Sequence, residues 1–266
     1  MITPTRLPGR IILSIQGEDA PEFLERLVTC RVDDMAPDEA RYGALLTPQG
    51  KIISDFLIKR TSGGFLLDCP EGGAEALEKR FKMFKLRAAI DIERPAHLHA
   101  LLSENGFEDP RSPALPRRDI GRDCGAEAAD LNAYHTACIT AGAPEFGVDF
   151  EEASVFPADV NMDRMNGVDF KKGCFVGQEV VSRMHRRGKT RKRTLMIKGE
   201  GLTPGADVHG EAPIGVVTST CGSAGLALIR IDRMAKAPAY SVNGAPVEFE
   251  KPDWLQGEID ALLGDG

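Results

Sequence analysis

The spacing of apolar residues changes several times along the chain, and each change marks an element. Residues 11–16 form a short apolar run that predicts a strand. Asp19-Ala20-Pro21-Glu22 then reads as a helix start, with a capping Asp, an early Pro and a Glu closing the first turn. Ala20, Phe23, Leu24, Leu27 and Val28 recur at i, i+3, i+4, i+7 and i+8, one face of a helix. Runs at 42–47, 52–59 and 65–69 are separated by Pro48-Gln49-Gly50 and Ser62-Gly63-Gly64, which predicts a three-stranded meander. Ala74, Leu77, Phe81 and Phe84 predict a second helix, and Ile90 with Ile92 a further strand. Helices set among antiparallel hairpins are an α+β signature.

The middle of the chain reads differently. Residues 105–118 carry Pro110, Pro113 and Pro116 among Arg111, Arg117 and Arg118, which predicts an exposed loop or linker. Residues 134–140 predict a return to strand, and 176–184 a helix. From 193 onward the pattern is β-only, with strands at 193–198, 214–219 and 226–231, as in a small β-barrel or sandwich. The chain has 266 residues, and single cores stop growing at roughly 250–300. The division expected is an α+β lobe at 1–94, a second α+β lobe at 95–192 interleaved with it, and a barrel at 193–266.

An apolar fraction of 42% and a charged fraction of 27% exclude a disordered chain, a collagen-like repeat and a disulfide miniprotein. No apolar run approaches the ~20 residues that span a bilayer, and Met1-Ile2-Thr3-Pro4 lacks the shape of a secretory signal. The expected location is cytoplasmic, or the mitochondrial matrix for a eukaryotic source. A net charge of −7 argues against a surface built for DNA. Yet residues 183–193 hold seven Lys or Arg in eleven positions, the composition of a polyanion contact or of a solvated loop. The strip has no interleaved aromatics, so base stacking is not indicated. The six cysteines, Cys30, Cys69, Cys124, Cys138, Cys174 and Cys221, are scattered, with neither disulfide nor metal-ligand spacing.

The densest candidate chemistry lies at 171–179. Lys171, Lys172 and Gly173 precede Cys174, and a helix starting near Val176 would add its dipole to the lysine charge. Both favour a thiolate, although a free cysteine can equally be simple packing. Gln178 and Glu179 could hydrogen-bond a heterocycle or sit solvated on the helix. Asp55, Asp159, Asn161 and Asp163 are candidates for holding a polar ring.

Lys172-Gly173-Cys174-Phe175-Val176-Gly177-Gln178-Glu179 resembles the Lys-Gly-Cys-Phe/Tyr-x-Gly-Gln-Glu signature of the YgfZ family, folate-binding proteins related to the aminomethyltransferase (T-protein) of the glycine cleavage system. The resemblance extends over most of the chain. It includes Gln16-Gly17-Glu18-Asp19-Ala20, Leu45-Leu46-Thr47-Pro48-Gln49-Gly50-Lys51, Asp109-Pro110-Arg111, the segment 156–163 and Pro252-Asp253-Trp254. It implies a three-lobed T-protein-like fold around a central tetrahydrofolate cavity. It further implies a role in assembly or repair of iron–sulfur enzymes, including ones that modify tRNA. In that frame Asp55, Asp159 and Asn161 line the folate pocket and Cys174 is the functional thiol at its mouth. Lys172, Gln178, Glu179 and Arg183 stand beside it, and the basic strip meets a polyglutamate tail or an acidic partner. Two departures stand out: Ser54-Asp55 replaces the T-protein's paired aspartates, and Asp159 stands where the family has Glu. The first counts against the alternative of a T-protein-type aminomethyl or one-carbon transferase. A further alternative is a tRNA-binding protein acting through 183–193.

Overall fold

The computed structural model describes residues 4–122, 125–188 and 190–264. Along the chain run β1 (Thr5–Arg6), β2 (Arg10–Gln16), α1 (Ala20–Glu25), β3 (Ala40–Leu46), β4 (Ile52–Thr61), β5 (Gly64–Pro70), α2 (Glu71–Lys85) and β6 (Asp91–Glu93). Then come β7 (Leu98–Phe107), β8 (Arg118–Arg122), α3 (Leu131–Thr140), the 3-10 turn Pro157–Val160 and α4 (Gln178–Arg187). The last third holds β9 (Lys192–Gly199), β10 (Asp207–His209), β11 (Pro213–Cys221), β12 (Ala224–Arg230), α5 (Ile231–Met234), β13 (Tyr240–Val242), β14 (Ala245–Phe249) and α6 (Asp253–Leu263).

These elements build a five-stranded sheet in the order β3-β4-β5-β2-β6, a three-stranded sheet β1-β7-β8, and a closed barrel β10-β11-β12-β9-β14-β13. The α+β, three-lobed architecture with a C-terminal barrel is thus the one adopted. Successive side chains of a strand point to opposite faces, and the five-stranded sheet buries both. Leu13, Ile15, Phe56 and Ile58 pack beneath α1 and α2 with Phe23, Leu77 and Phe81. Ile12, Tyr42, Ala44 and Leu57 face the middle of the chain, against Tyr134, Phe146 and Met162. Two buried faces explain why the meander reads as continuous apolar runs without alternation. They also divide Ser54 from Asp55. The Ser54 side chain lies under α2, where a Cβ on Gly73 would come 2.4 Å from its Oγ, and Asp55 faces the other way. β1, at the start of the chain, pairs with β7, so the first two lobes share strands.

Three expectations need correction. Residues 134–140 are helical, because Asp130 caps α3 by accepting from the Asn132 and Ala133 amides, and Tyr134, Cys138 and Ile139 form its buried face. Residues 105–118 include the loop expected, at 108–117, but it is only partly exposed. β7 runs to Phe107, and Asp109, Arg111 and Arg118 are buried in a charge network. The last third is not β-only, since α5 and α6 close the barrel and contribute Ile231, Met234, Leu255 and Ile259 to its core. Cys124 and Lys189, two residues named from the sequence, lie outside the described residues.

Candidate functional site

The segment 171–179 is held against the first lobe by its own signature residues. Phe175 is buried in the core. The Lys172 ammonium turns inward, donating to the carbonyls of Val28 (2.9 Å) and Cys30 (2.7 Å) and lying 3.3 Å from Glu25. Burial pushes its pKa down and Glu25 partly restores it. Gly177 has φ +80, and a Cβ there would sit 2.6 Å from the Thr47 carbonyl oxygen, so only glycine lets the chain pass the Thr47–Gly50 turn so closely. The Gln178 amide reaches back to the Gly173 carbonyl at 3.2 Å. Glu179 and Arg183 form an exposed i,i+4 pair at 2.6 Å. Most of the signature therefore docks the loop and leaves Cys174 exposed at its tip. α4 begins at Gln178, two residues later than expected, so Cys174 lies a full turn outside the helix.

A second set of polar residues is buried between the sheets. Arg10 Nε donates to Asp68 Oδ1 at 2.6 Å, and Arg118 donates to Asp68 Oδ2 and, at 3.1 Å, to the Tyr134 hydroxyl. Arg111 clamps Asp109 through Nε (3.0 Å) and Nη2 (2.8 Å). The Tyr42 hydroxyl donates to Asp55 Oδ2 at 2.8 Å, and the Arg111 guanidinium lies 6.0 Å over the Tyr42 ring. The three aspartates respond differently to similar burial. Burial would raise Asp68 and Asp109, but the guanidiniums paired with them hold both below the ordinary carboxylate range. Asp55 has no direct arginine partner among the described residues, and burial pushes its pKa up despite Arg10, Tyr42 and Arg111. Its Oδ1 is buried and has no hydrogen-bond partner among the described residues.

Arg111 also lines a cavity of about 240 Å³ between the middle lobe and the barrel, together with Asn161, Arg164, Thr194, Glu250 and Trp254. Asn161 sits at φ +60, the left-handed region that asparagine tolerates. Its Nδ2 donates to the Thr194 carbonyl at 2.7 Å, while its Oδ1, like that of Asp55, is buried without a partner among the described residues. Asp159 lies next to it but is engaged elsewhere. Its Oδ2 accepts from the Phe156 amide at 2.9 Å, and burial raises its pKa. The basic strip divides in two. Arg183, Arg186, Arg191 and Lys192 are exposed, whereas Arg193 is 2% exposed and paired with Asp163 and Glu258.

Of the residues singled out in the sequence, Asn161 lines the cavity beside Arg111, whereas Asp55 does not line it and lies with Tyr42, whose ring is 6.0 Å from the Arg111 guanidinium. Asp159 lies next to Asn161, and Cys174, Gln178, Glu179 and Arg183 lie on the surface around α4. Arg164 and Trp254 line the cavity without having been singled out as site residues, and Tyr42 holds Asp55. Pro252-Asp253-Trp254 stood among the residues carrying the resemblance, which was the available signal.

The GCVT N-terminal domain family matches residues 12–95, and the CAF17 C-terminal beta-barrel domain family matches 191–257. Iron-sulfur cluster assembly factor IBA57, mitochondrial, of Mus musculus is 30% identical, over 94% of this chain and 84% of that protein. Its Homo sapiens counterpart is likewise 30% identical over the same shares. The Mycosarcoma maydis homolog is 30% identical over 78% of this chain and 60% of its own length. Among solved structures, glycine cleavage system aminomethyltransferase T from Bartonella henselae superposes with a TM-score of 0.76 at 16% identity, covering 93% of this chain and 84% of that one, and so shares the fold. With one domain family toward each end, the aminomethyltransferase fold shared over nearly the whole chain and relatives matched nearly end to end, this chain belongs to the IBA57 family of iron–sulfur cluster assembly factors, within the wider group that its sequence resembled.

Proposed function

We propose that the protein serves assembly or repair of iron–sulfur proteins, binds tetrahydrofolate in its inter-lobe cavity, and uses Cys174 as its functional thiol. The observation that carries the folate reading is the pair of buried acceptors without partners, Asp55 Oδ1 and Asn161 Oδ1. A buried polar atom left unpaired costs roughly 1–3 kcal/mol, and a reduced pterin presents ring N–H and amino donors that would satisfy Asn161 Oδ1 at the cavity wall and, by reaching past Arg111, Asp55 Oδ1. Arg111, Tyr42 and Asp55 would orient that ring, and the folate would supply one-carbon or redox chemistry when bound. The exposed cations Arg183, Arg186, Arg191 and Lys192 are the proposed contact for an anionic partner surface or folate tail. The proposed location is the cytoplasm, or the mitochondrial matrix in a eukaryote, where the relatives are mitochondrial. Among the described residues no helix is long and apolar enough to cross a membrane.

Calorimetric titration of the reduced protein with tetrahydrofolate under anaerobic conditions should show micromolar binding. Asp55→Asn should weaken it at least about tenfold, because a bidentate acceptor becomes half donor. Asp159→Ala is a poorer probe, since it also removes the contact to the Phe156 amide. No heat at millimolar ligand would end the folate reading. In cells lacking this chain, wild type should restore iron–sulfur enzyme activities and Cys174→Ser should leave most of them unrestored. Full rescue by the serine variant would remove the thiol role.

A further inference from the structure

Charge and apolar exposure come together at the C-terminal end of α2. From Lys79 to Arg87, five of nine residues are Lys or Arg and none is Asp or Glu, on a chain whose net charge is −7. Cations near a helix C-terminus suit its dipole. Two of the five are also paired within the chain, Lys82 with Glu78 at 2.6 Å and Lys85 with Asp91 at 3.7 Å. Lys79, Arg80 and Arg87 meet no carboxylate among the described residues. Neither dipole nor pairing accounts for the apolar residues set among these charges. Met83 is 53% exposed and Leu86 88%, more than any other large apolar residue among those described.

Leu86 also sits where the backbone suits it least. It ends α2 at φ +45 and ψ −106, and the Ala88 amide donates to the Lys85 carbonyl at 2.8 Å, closing a tight turn with Leu86 at its second residue. Those angles have the signs of a type II′ turn, whose second position is dominated by glycine, asparagine and aspartate because a larger side chain crowds the backbone there. Packing inside the chain does not offset this choice, since Leu77 and Phe81 fill the core beneath α2 and Leu86 stays in solvent. The turn is nevertheless well anchored. The Ala89 amide donates to Asp19 Oδ2 at 2.7 Å, and Ile90 is buried. The protein thus holds an apolar side chain outward on a fixed turn, among cations.

We propose that this tip, residues 79–87, docks on an anionic lipid bilayer, with Leu86 and Met83 entering the boundary between headgroups and acyl chains and Lys79, Arg80 and Arg87 taking lipid phosphates. None of these residues lines the cavity or the Cys174 loop, so the contact is separate from the function proposed above. Two features favour a bilayer over a protein. The apolar side chains protrude at a helix end, and a fluid interface receives a protrusion without a matching pocket. Apolar residues interspersed with Lys and Arg on a helix are also the composition of segments that lie in that interface. With these five cations set aside the rest of the chain is more acidic still, so an anionic membrane repels it on balance, and the contact is oriented and reversible.

Flotation of the full chain with vesicles tests this, using phosphatidylcholine alone and an equal mixture of phosphatidylcholine and phosphatidylglycerol. Binding is expected to the anionic vesicles only, falling steeply between about 0.05 and about 0.5 M salt. Leu86→Gly should bind about tenfold more weakly, the loss of one inserted leucine, yet melt no lower than wild type because glycine fits the turn. Arg80→Gln and Arg87→Gln should each lose about fivefold. No binding to anionic vesicles at low salt would overturn the proposal, as would equal binding to neutral ones. Binding that survives Leu86→Gly, as it would if the exposed cations of α4 carried it, would overturn it too. Leu86-dependent binding of polyaspartate with none of vesicles would assign the tip to an acidic protein and exclude the bilayer.

Discussion

Asp68→Ala is expected to cost about 3–5 kcal/mol of unfolding free energy, the range found when one partner of a buried ion pair is removed. Asp68 is fully buried and is the only carboxylate that the Arg10 guanidinium contacts among the described residues. Arg118 is also fully buried, and its Nε has no hydrogen-bond partner among the described residues. Deleting the carboxylate would leave two guanidiniums in a region with too little charge to offset them. Asp109 could not replace it, because Arg111 already holds both its oxygens and Arg118 approaches only to 3.9 Å. The pH dependence has a definite sign. The Asp68 pKa is depressed in the folded state, so its contribution is present above the ordinary carboxyl value near ~3.9 and is lost as pH falls through the folded value. Guanidinium unfolding at neutral pH should therefore show a large midpoint shift at similar slope, and the gap between wild type and variant should narrow in acid. A surface control, Glu22→Ala, removes a pair exposed on both sides and should shift the midpoint little. A loss below about 1 kcal/mol for Asp68→Ala would show that the network is solvated in a way its burial does not indicate.

The network also marks where the sequence stopped being legible. Arg118 and Asp68 are fifty residues apart, and nothing local to either shows that they meet. Prolines and arginines at 105–118 have loop composition, yet two of the three arginines are buried, Arg111 against Asp109 within the segment and Arg118 against the distant Asp68, while Arg117 stays exposed. Elements with local signals were readable: the helix face Ala20-Phe23-Leu24, the turn residues around Gly50 and Gly63, and the strands of the barrel. α3 had its signal too, in Asp130 as a cap, but Tyr134, Thr136, Ile139 and Thr140 favour strand and masked it. At the candidate site the signature was legible as a motif, but not the division of labour within it. Lys172 reads as an electrostatic neighbour of Cys174, whereas its ammonium serves backbone carbonyls contributed by residues more than 140 positions earlier. Charge density likewise grouped Arg193 with its exposed neighbours. Strand period was the signal against it, since Arg193 shares parity with Leu195 and Ile197, both buried in the barrel core.

Arg193 carries the second large effect. Its guanidinium meets both oxygens of Asp163 (2.6 and 2.9 Å), both oxygens of Glu258 (2.8 and 2.6 Å) and the Ala158 carbonyl (2.7 Å). It also lies 5.1 Å over the Trp254 ring. Burial would lower its pKa, but Asp163 and Glu258 outweigh burial and hold it fully cationic. One side chain thus joins β9 of the barrel, the turn of the middle lobe and α6, and it is the charge that balances two carboxylates. Arg193→Met should cost about 3–5 kcal/mol by leaving those carboxylates facing each other in a half-dry junction. Arg193→Lys should recover little, because one ammonium cannot span two carboxylates and a carbonyl in the planar geometry that the fork supplies. Glu258→Gln should be milder, since Arg193 keeps Asp163 and Arg164 can turn to solvent. The consequence should reach the cavity, because Thr194 follows Arg193 directly and Trp254 lies under the same guanidinium. Limited proteolysis should find the connection between α4 and β9 cut faster in Arg193→Met, and tetrahydrofolate should protect wild type far better than the variant. Equal protection of both would mean that the barrel can leave the junction without opening the site, and the coupling of docking to binding would fail.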